Sequence, residues 1–429
     1  MQSLKILYSA YACEPGKGSE PGVGWHWAVQ TARLGHEVWV ITRANNRGRI
    51  ERAQAAGEVP PNLHFAYYDL PRRLAWWKRG GRGVHLYYVL WQWGAWRAAR
   101  ALHARERFDA VHHITFGVMR HPIFMNHLGI PCVVGPLGGG ESAPLALRRH
   151  YPWREYLRAA LRDAVNALAH FDPWLRQSYA QAALILAKTP ETRHWLEAPY
   201  RAKASCMLEI GIGAVHDSAA TRPSTTGPLR LLYVGRFIAL KGMGLGLRAF
   251  ARLRAQGVDA RLTMIGQGSE AARWRALAAD LGVAQAIDWV PWMPQEELLR
   301  SYREYDLFLF PSLTDSSGNA VLEAMANGLP VVCLGLGGPA QLVNQECGHV
   351  VPAIGRSEDE VIEDLARAMA GIARDPALAG RLREGALARA RGFAWNEVVA
   401  RVWGARGSGY GLVMGRGMDE LPPLARGQT

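Results

Sequence analysis

Along the first half of the chain, apolar positions recur with two different periods. Short apolar, β-branched or aromatic runs at Lys5–Ser9, Glu37–Thr42, His64–Tyr68, Asp109–Ile114, Cys132–Gly135 and Ala183–Ala187 are bounded by polar or glycine-containing stretches and predict strands. Between them the apolar residues return every three to four positions, which predicts helices near Gly24–Leu34, Val84–Ala104 and Tyr156–Leu168. Gly35 closes the first helix, so the opening segment reads as a βαβ unit. Repeated βα units imply one parallel, doubly wound sheet.

A polar stretch with two prolines, residues 217–228, interrupts this pattern and reads as an interdomain linker. A second βα series follows, with strands expected at Leu229–Val234, Ala260–Ile265, Ile287–Val290, Leu307–Phe310, Val331–Leu334 and His349–Val351. Helical periodicity returns in Glu358–Arg374, Pro376–Ala390 and Phe393–Trp403, whereas 407–429 is Gly-rich, without periodicity, and reads as a poorly ordered tail. The expected organisation is a domain over 1–216, the linker 217–228, a second domain over 229–390, a returning helix at 391–406 and the tail. The fold class is α/β, two Rossmann-like doubly wound domains facing across a cleft, with ligands expected at the C-terminal ends of the strands.

Length and composition agree with this division. At 429 residues the chain exceeds one comfortable core, and 49% hydrophobic with 20% charged residues excludes a disordered or fibrous protein. Five scattered cysteines with no C-x-x-C pair argue against a disulfide framework or zinc knuckle and suit a reducing cytoplasm. The N-terminus runs straight into a strand without the pattern of a secretion signal. No apolar run approaches the ~20 residues of a spanning helix. The formal charge of +13 favours anionic partners without choosing among them.

Two segments of the second half carry the chemistry. In Leu231–Gly242 a buried strand ends at Gly235 and is followed by Arg236, Lys241 and a helix. Gly235 permits close backbone approach, Arg236 offers a planar fork and Lys241 a point charge, a set suited to a diphosphate. In Pro311–Pro330 two acids, Asp315 and Glu323, flank a predicted helix start at Gly318 and Asn319, where free amides are available. Carboxylates so placed can accept hydrogen bonds from sugar hydroxyls, at roughly 1.5–3 kcal/mol each.

The spacing Gly-Arg-x4-Lys-Gly, paired with acid-x7-Glu-Ala-Met-Ala-x-Gly-x-Pro-Val-Val, resembles the donor site of the family 4 retaining glycosyltransferases, which have the GT-B fold. The resemblance extends over nearly the whole chain. It implies that Arg236 and Lys241 contact the diphosphate of a nucleotide-sugar donor, that Glu323 contacts the ribose and that Asp315 contacts the transferred sugar. Gly318 and Asn319 offer it backbone amides. An aspartate at position 315 departs from the family's more usual glutamate. Pro291, within Trp289–Pro294, occupies the place where the family holds the nucleobase, and Phe393–Trp403 resembles the terminal helix that returns to the N-terminal domain. The resemblance further implies that no cofactor is needed, that the anomeric configuration is retained, and that the acceptor is a glycan or polyprenyl-diphosphate-linked sugar in bacterial surface-polysaccharide assembly. The donor half carries no D-x-D pair for a metal, so Arg236, Lys241 and the helix N-terminus are expected to neutralise the leaving group.

In the first half, Gly16, Gly18 and Gly22 stud the loop after the first strand, and Gly138 and Gly139 that after the fifth; both are expected to line the acceptor and phosphate side. His112 and His113 end the fourth strand; adjacent strand residues face opposite ways, and His113 is the candidate for the cleft. A dinucleotide-binding alternative, an NADP-dependent oxidoreductase using Arg43, lacks G-x-G-x-x-G and an acid after the second strand. A non-catalytic carbohydrate-binding protein would have no use for a diphosphate clamp. Between Leu74 and Arg107, Trp76, Trp77, Tyr87, Tyr88, Trp91, Trp93 and Trp96 mix with Lys78, Arg79, Arg82, Arg97 and Arg100, which predicts peripheral contact with an anionic membrane at the inner face of the cell membrane. No nucleic-acid motif accompanies them.

Overall fold

A computed structural model describes residues 2–71, 73, 76–78, 83–213, 215 and 227–415. They form two compact units, one containing the chain up to Gly140, Ala164–Gly211 and the chain from Trp395 on, the other Glu141–Asp163 and Ile212–Ala394.

The first unit is built on a parallel sheet of seven strands: β1 Lys5–Ser9, β2 Glu37–Thr42, β3 Leu63–Tyr67, β4 Ala110–His113, β5 Cys132–Leu137, β6 Leu184–Ala187 and β7 Ala204–Cys206. Their order is β3-β2-β1-β4-β5-β6-β7, so the winding reverses between β1 and β4. Strands β1, β4, β5 and β6 are buried along almost their whole length, as central strands of a sheet covered on both faces must be. The helix Val84–Glu106 lays Tyr87, Tyr88, Trp91, Ala95 and Ala99 against this core at helical spacing. The closing helix Trp395–Trp403 packs on the first helix, Ser19–Arg33, within the same unit. There the Trp403 indole donates to His112 Nδ1 at 3.1 Å, and the Trp403 carbonyl meets His36 Nε2 at 2.8 Å.

The second unit has a parallel six-stranded sheet: β8 Leu229–Val234, β9 Ala260–Ile265, β10 Ile287–Val290, β11 Leu307–Phe310, β12 Val331–Leu334 and β13 Gly348–Val351. Its order, β10-β9-β8-β11-β12-β13, reverses between β8 and β11. The amphipathic helix Glu358–Arg374 starts in a capping box, Ser357 accepting from the Glu360 amide while Glu360 accepts from Ser357, and packs on Met243–Ala255.

Four sequence expectations change. The first helix begins at Ser19, so Gly22 is a buried helical residue rather than part of the loop. Pro21 is tolerated there because first-turn amides have no intrahelical partner. Gly22 and Gly24 are required because a Cβ on either would stand 2.1 Å from a carbonyl oxygen, of Lys17 and Ala12 respectively. Second, β7 is a strand the sequence pattern did not show; three residues are too few to carry a period. Third, Glu141–Asp163 groups with the second unit although it lies in the expected first domain. Fourth, part of the expected tail is a helix, Ser408–Val413, whose Tyr410 is buried and accepts a hydrogen bond from the Gln2 amide at 2.9 Å. Glycines allow that close fit, which explains the missing periodicity. The remainder of that expectation, 416–429, and the linker expectation at 217–226 lie outside the described residues.

Candidate active site

In a doubly wound sheet, the two loops that leave in opposite directions at the reversal of strand order open a crevice at the strands' C-terminal ends. In the second sheet these are the loops after β8 and β11; the first carries Arg236 and Lys241, the second carries Asp315 and leads into the helix that bears Glu323. The backbone ties them together: Leu313 donates to the Leu240 carbonyl at 2.9 Å, and Gly242, at φ +64°, passes so close that a Cβ there would lie 2.0 Å from the Pro311 oxygen. Gly235 leaves β8 with its amide on the Ile265 carbonyl at 3.0 Å, and the buried Tyr233 hydroxyl donates to the Arg236 carbonyl at 3.2 Å. The Arg236 side chain is exposed.

Lys241 and Asp315 form a close ion pair across the two loops, both side chains largely buried. The other Asp315 oxygen accepts from the amides of Ser317 at 3.1 Å and Gly318 at 2.8 Å. Burial would raise the Asp315 carboxyl, but Lys241 and the two amides outweigh it and hold it below the usual range. Gly318, at φ +82°, turns the chain into the helix Asn319–Ala326, whose first amides have no intrahelical acceptor. Glu323 sits in that helix. Tyr302, fully buried, donates to its Oε2 at 3.2 Å, and burial raises the Glu323 carboxyl despite that bond. Pro291 follows β10, the outermost strand on the β8 side, at the C-terminal end of the sheet, and is exposed. Two cations, the first amides of Asn319–Ala326 and two carboxylates thus stand at one crevice, able to receive an anion together with hydroxyl groups; the Gly318 amide, expected to be offered to the donor, is instead taken by Asp315.

The sequence reading missed Tyr302, because the residue that fixes Glu323 lies 21 positions away on another element. It also left Asp315 free to reach a sugar, whereas the structure engages both its oxygens.

In the first unit the loops at the β1/β4 reversal hold a second group. His113 is 1% exposed, its Nε2 2.8 Å from the Tyr88 hydroxyl and its Nδ1 3.3 Å from Ser9 Oγ. Burial lowers its pKa to about 4, so it is neutral near pH 7. His112 is 2.8 Å from the Gly135 carbonyl and faces Trp403. Buried Lys188, after β6, pairs with Glu209 at 2.6 Å and Glu20 at 3.6 Å, and Glu20 accepts from the Phe116 amide at 2.7 Å. Gly16 and Gly18 are exposed ahead of Glu20, Gly138 is buried, and the Gly139 carbonyl accepts from Asn166 at 3.0 Å. None of these three charged residues was a sequence candidate; they come together only through the fold.

Of the aromatic stretch expected at a membrane, Tyr87, Tyr88 and Trp91 belong to the core, and Trp77 and Trp96 pack against it. Trp76 and Trp93 remain exposed, Leu74, Arg79 and Arg82 lie outside the described residues, and no described helix is long and apolar enough to cross a membrane.

The two Rossmann-like units, with clamp-like loops at one sheet's reversal, define a GT-B protein. A glycosyltransferase from Rickettsia africae superposes with a TM-score of 0.63 at 15% identity, over 97% of this chain and 100% of that one. Residues 228–375 match the family described as "Glycosyl transferases group 1". The D-inositol 3-phosphate glycosyltransferase of Mycobacteroides abscessus is 33% identical over 426 residues, 92% of this chain and 86% of the relative. That of Acidothermus cellulolyticus is 35% identical over 212 residues, 46% of this chain, and the match spans only 45% of the relative's length. This chain belongs to the group 1 glycosyltransferases.

Proposed function

We propose that the chain is a retaining hexosyltransferase that takes its sugar from a nucleotide-sugar donor and passes it to a glycan or polyprenyl-diphosphate-linked acceptor in surface-polysaccharide assembly at the inner face of the cell membrane. The observation that carries the reading is the convergence of Arg236, Lys241 and the first amides of the helix Asn319–Ala326 on the reversal of the second sheet. On this reading the cations and amides bind the donor diphosphate and stabilise the charge that grows on it as the bond to the anomeric carbon breaks. Glu323, held by Tyr302, accepts from the ribose hydroxyls, and Pro291 lies beside the base. Asp315 holds Lys241 until the diphosphate arrives and then borders the sugar. The leaving phosphate oxygen takes the acceptor's proton, so no side-chain base is required, and neutral His113 serves as a hydrogen-bonded wall on the acceptor side.

The names of the two relatives favour a second reading, in which the acceptor is a small soluble phosphorylated polyol such as D-inositol 3-phosphate. Incubation with a panel of nucleotide sugars, with either that acceptor or a polyprenyl-diphosphate-linked sugar, tests both readings by release of nucleoside diphosphate. Release that needs the lipid-linked sugar supports the first, and release that needs the inositol phosphate supports the second. No release from any donor counts against glycosyl transfer itself.

A further inference from the structure

The helix Trp153–Leu168 is mounted inside out. A surface helix ordinarily buries its apolar stripe and exposes its polar one. Here the only apolar residue that reaches the protein body is Ala159, and the others on that face, Glu155, Arg162, Asp163 and Asn166, are polar. Asp163 accepts from the buried Arg148 guanidinium at 2.8 Å and from Ser142 at 3.2 Å, and buried Asn166 donates to the Gly139 carbonyl at 3.0 Å. The opposite face carries Trp153, Tyr156, Leu157, Leu161, Val165 and Leu168, between 41% and 71% exposed. Their spacing sets them on one stripe about 22 Å long at 1.5 Å per residue. Phe171, just beyond the helix, is also exposed.

Six large apolar side chains on one stripe, held outward by buried polar anchors, constitute a surface made to be covered. Charge selects the cover. Arg149, Arg154 and Arg158 are exposed along the same segment, Arg154 lying 5.3 Å from the Trp153 ring, in a chain of net charge +13. Arg158 is paired with Glu155, and a second copy of the chain would bring the same positive excess to the contact rather than the negative charge that complements Arg149 and Arg154. A bilayer with anionic headgroups receives them while the stripe enters the acyl boundary, with aromatic residues near both ends at headgroup level. We propose that Trp153–Leu168 docks the protein on an anionic membrane, lying in the plane of its surface. The inference extends the lipid-linked-acceptor reading and relocates the membrane contact from the stretch 74–107 to this helix. It stands or falls separately from the reaction.

The test is flotation of the full chain with vesicles of phosphatidylglycerol and phosphatidylcholine, or of phosphatidylcholine alone, beside the triple variant Leu157→Ser/Leu161→Ser/Leu168→Ser. All three leucines are exposed, so the variant keeps its core. Wild type should float with the mixed vesicles and far less with the neutral ones, and each substitution should lower partitioning about tenfold. Equal flotation of wild type and variant would overturn the assignment. So would a wild type that binds neither vesicle but sediments as a dimer that the variant dissolves, because the stripe would then be a contact between copies. Nucleoside diphosphate binding by the triple variant, measured in solution, reports on the donor site alone and separates failure of the docking inference from failure of the proposed reaction.

Discussion

Replacing Asp315 by Asn removes one negative charge while keeping an oxygen for the Ser317 and Gly318 amides, so the turn into Asn319–Ala326 should survive. The charge matters because Asp315 and an incoming diphosphate compete for one ammonium, that of Lys241. Two unit charges about 4 Å apart at an effective dielectric constant near 20 attract by roughly 4 kcal/mol, and desolvation of the pair takes back a good part of it. A net advantage of about 1–2 kcal/mol should then pass to the ligand, a roughly 5- to 30-fold lower Kd for a nucleoside diphosphate. Turnover should fall nonetheless, since product leaves more slowly and the sugar loses a neighbour. Lys241→Ala should act oppositely, weakening the diphosphate roughly 10- to 100-fold. Calorimetry with the nucleoside diphosphate and the two variants decides it. If Asp315→Asn weakens binding as much as Lys241→Ala does, Asp315 is not a competitor for the cation and the clamp works differently.

Three further outcomes follow from the same geometry. Glu323 is raised by burial, so its ionisation costs folded-state stability as pH rises through its folded pKa; Glu323→Gln should therefore raise Tm at pH 7, with the gap closing in acid where both carry no charge, while nucleoside diphosphate binding weakens roughly 5- to 150-fold, both read by thermal shift and calorimetry. With Arg236 and Lys241 supplying the positive charge at the leaving group, transfer should persist in excess EDTA, and loss of activity that Mn²⁺ restores would count against the cationic clamp. Gly242→Ala should lower stability by about 3 kcal/mol in denaturant titration, from a left-handed backbone worth about 1–2 kcal/mol and a Cβ forced against the Pro311 carbonyl; an unchanged midpoint would show that the two loops do not meet as described.

Much of the sheet architecture was legible because central parallel strands are continuous apolar runs with sharp ends, as in Leu229–Val234 and Leu307–Phe310, where expected and observed bounds coincide. The cation and acid loops were legible for a related reason: glycines and charges that directly follow such strands stand at the end of the sheet where doubly wound folds bind ligands. Partners across the fold were not. Tyr302 beneath Glu323, and Lys188 between Glu209 and Glu20, are joined by tertiary packing that leaves no local periodicity. The Lys241–Asp315 pair was half legible, since both residues were candidates but their spacing of 74 positions gave no sign that they meet. Amphipathicity predicted a helix near Tyr156–Leu168 but not which face would be turned outward. Aromatics beside cations in Val84–Glu106 predicted membrane contact without showing which of them are core, and the i, i+4 series Tyr87, Trp91, Ala95, Ala99 is the core stripe.

Calorimetric titration of a panel of nucleoside diphosphates into the 429-residue chain, and into its Arg236→Ala/Lys241→Ala variant, bears most directly on the diphosphate clamp at the reversal of the second sheet. One nucleoside diphosphate should bind with one-to-one stoichiometry and a Kd on the order of 1–100 μM, and the double variant should bind it at least about 100-fold more weakly. Absence of binding across the panel, or equal binding by wild type and double variant, would contradict the assignment of these loops to a nucleotide-sugar donor.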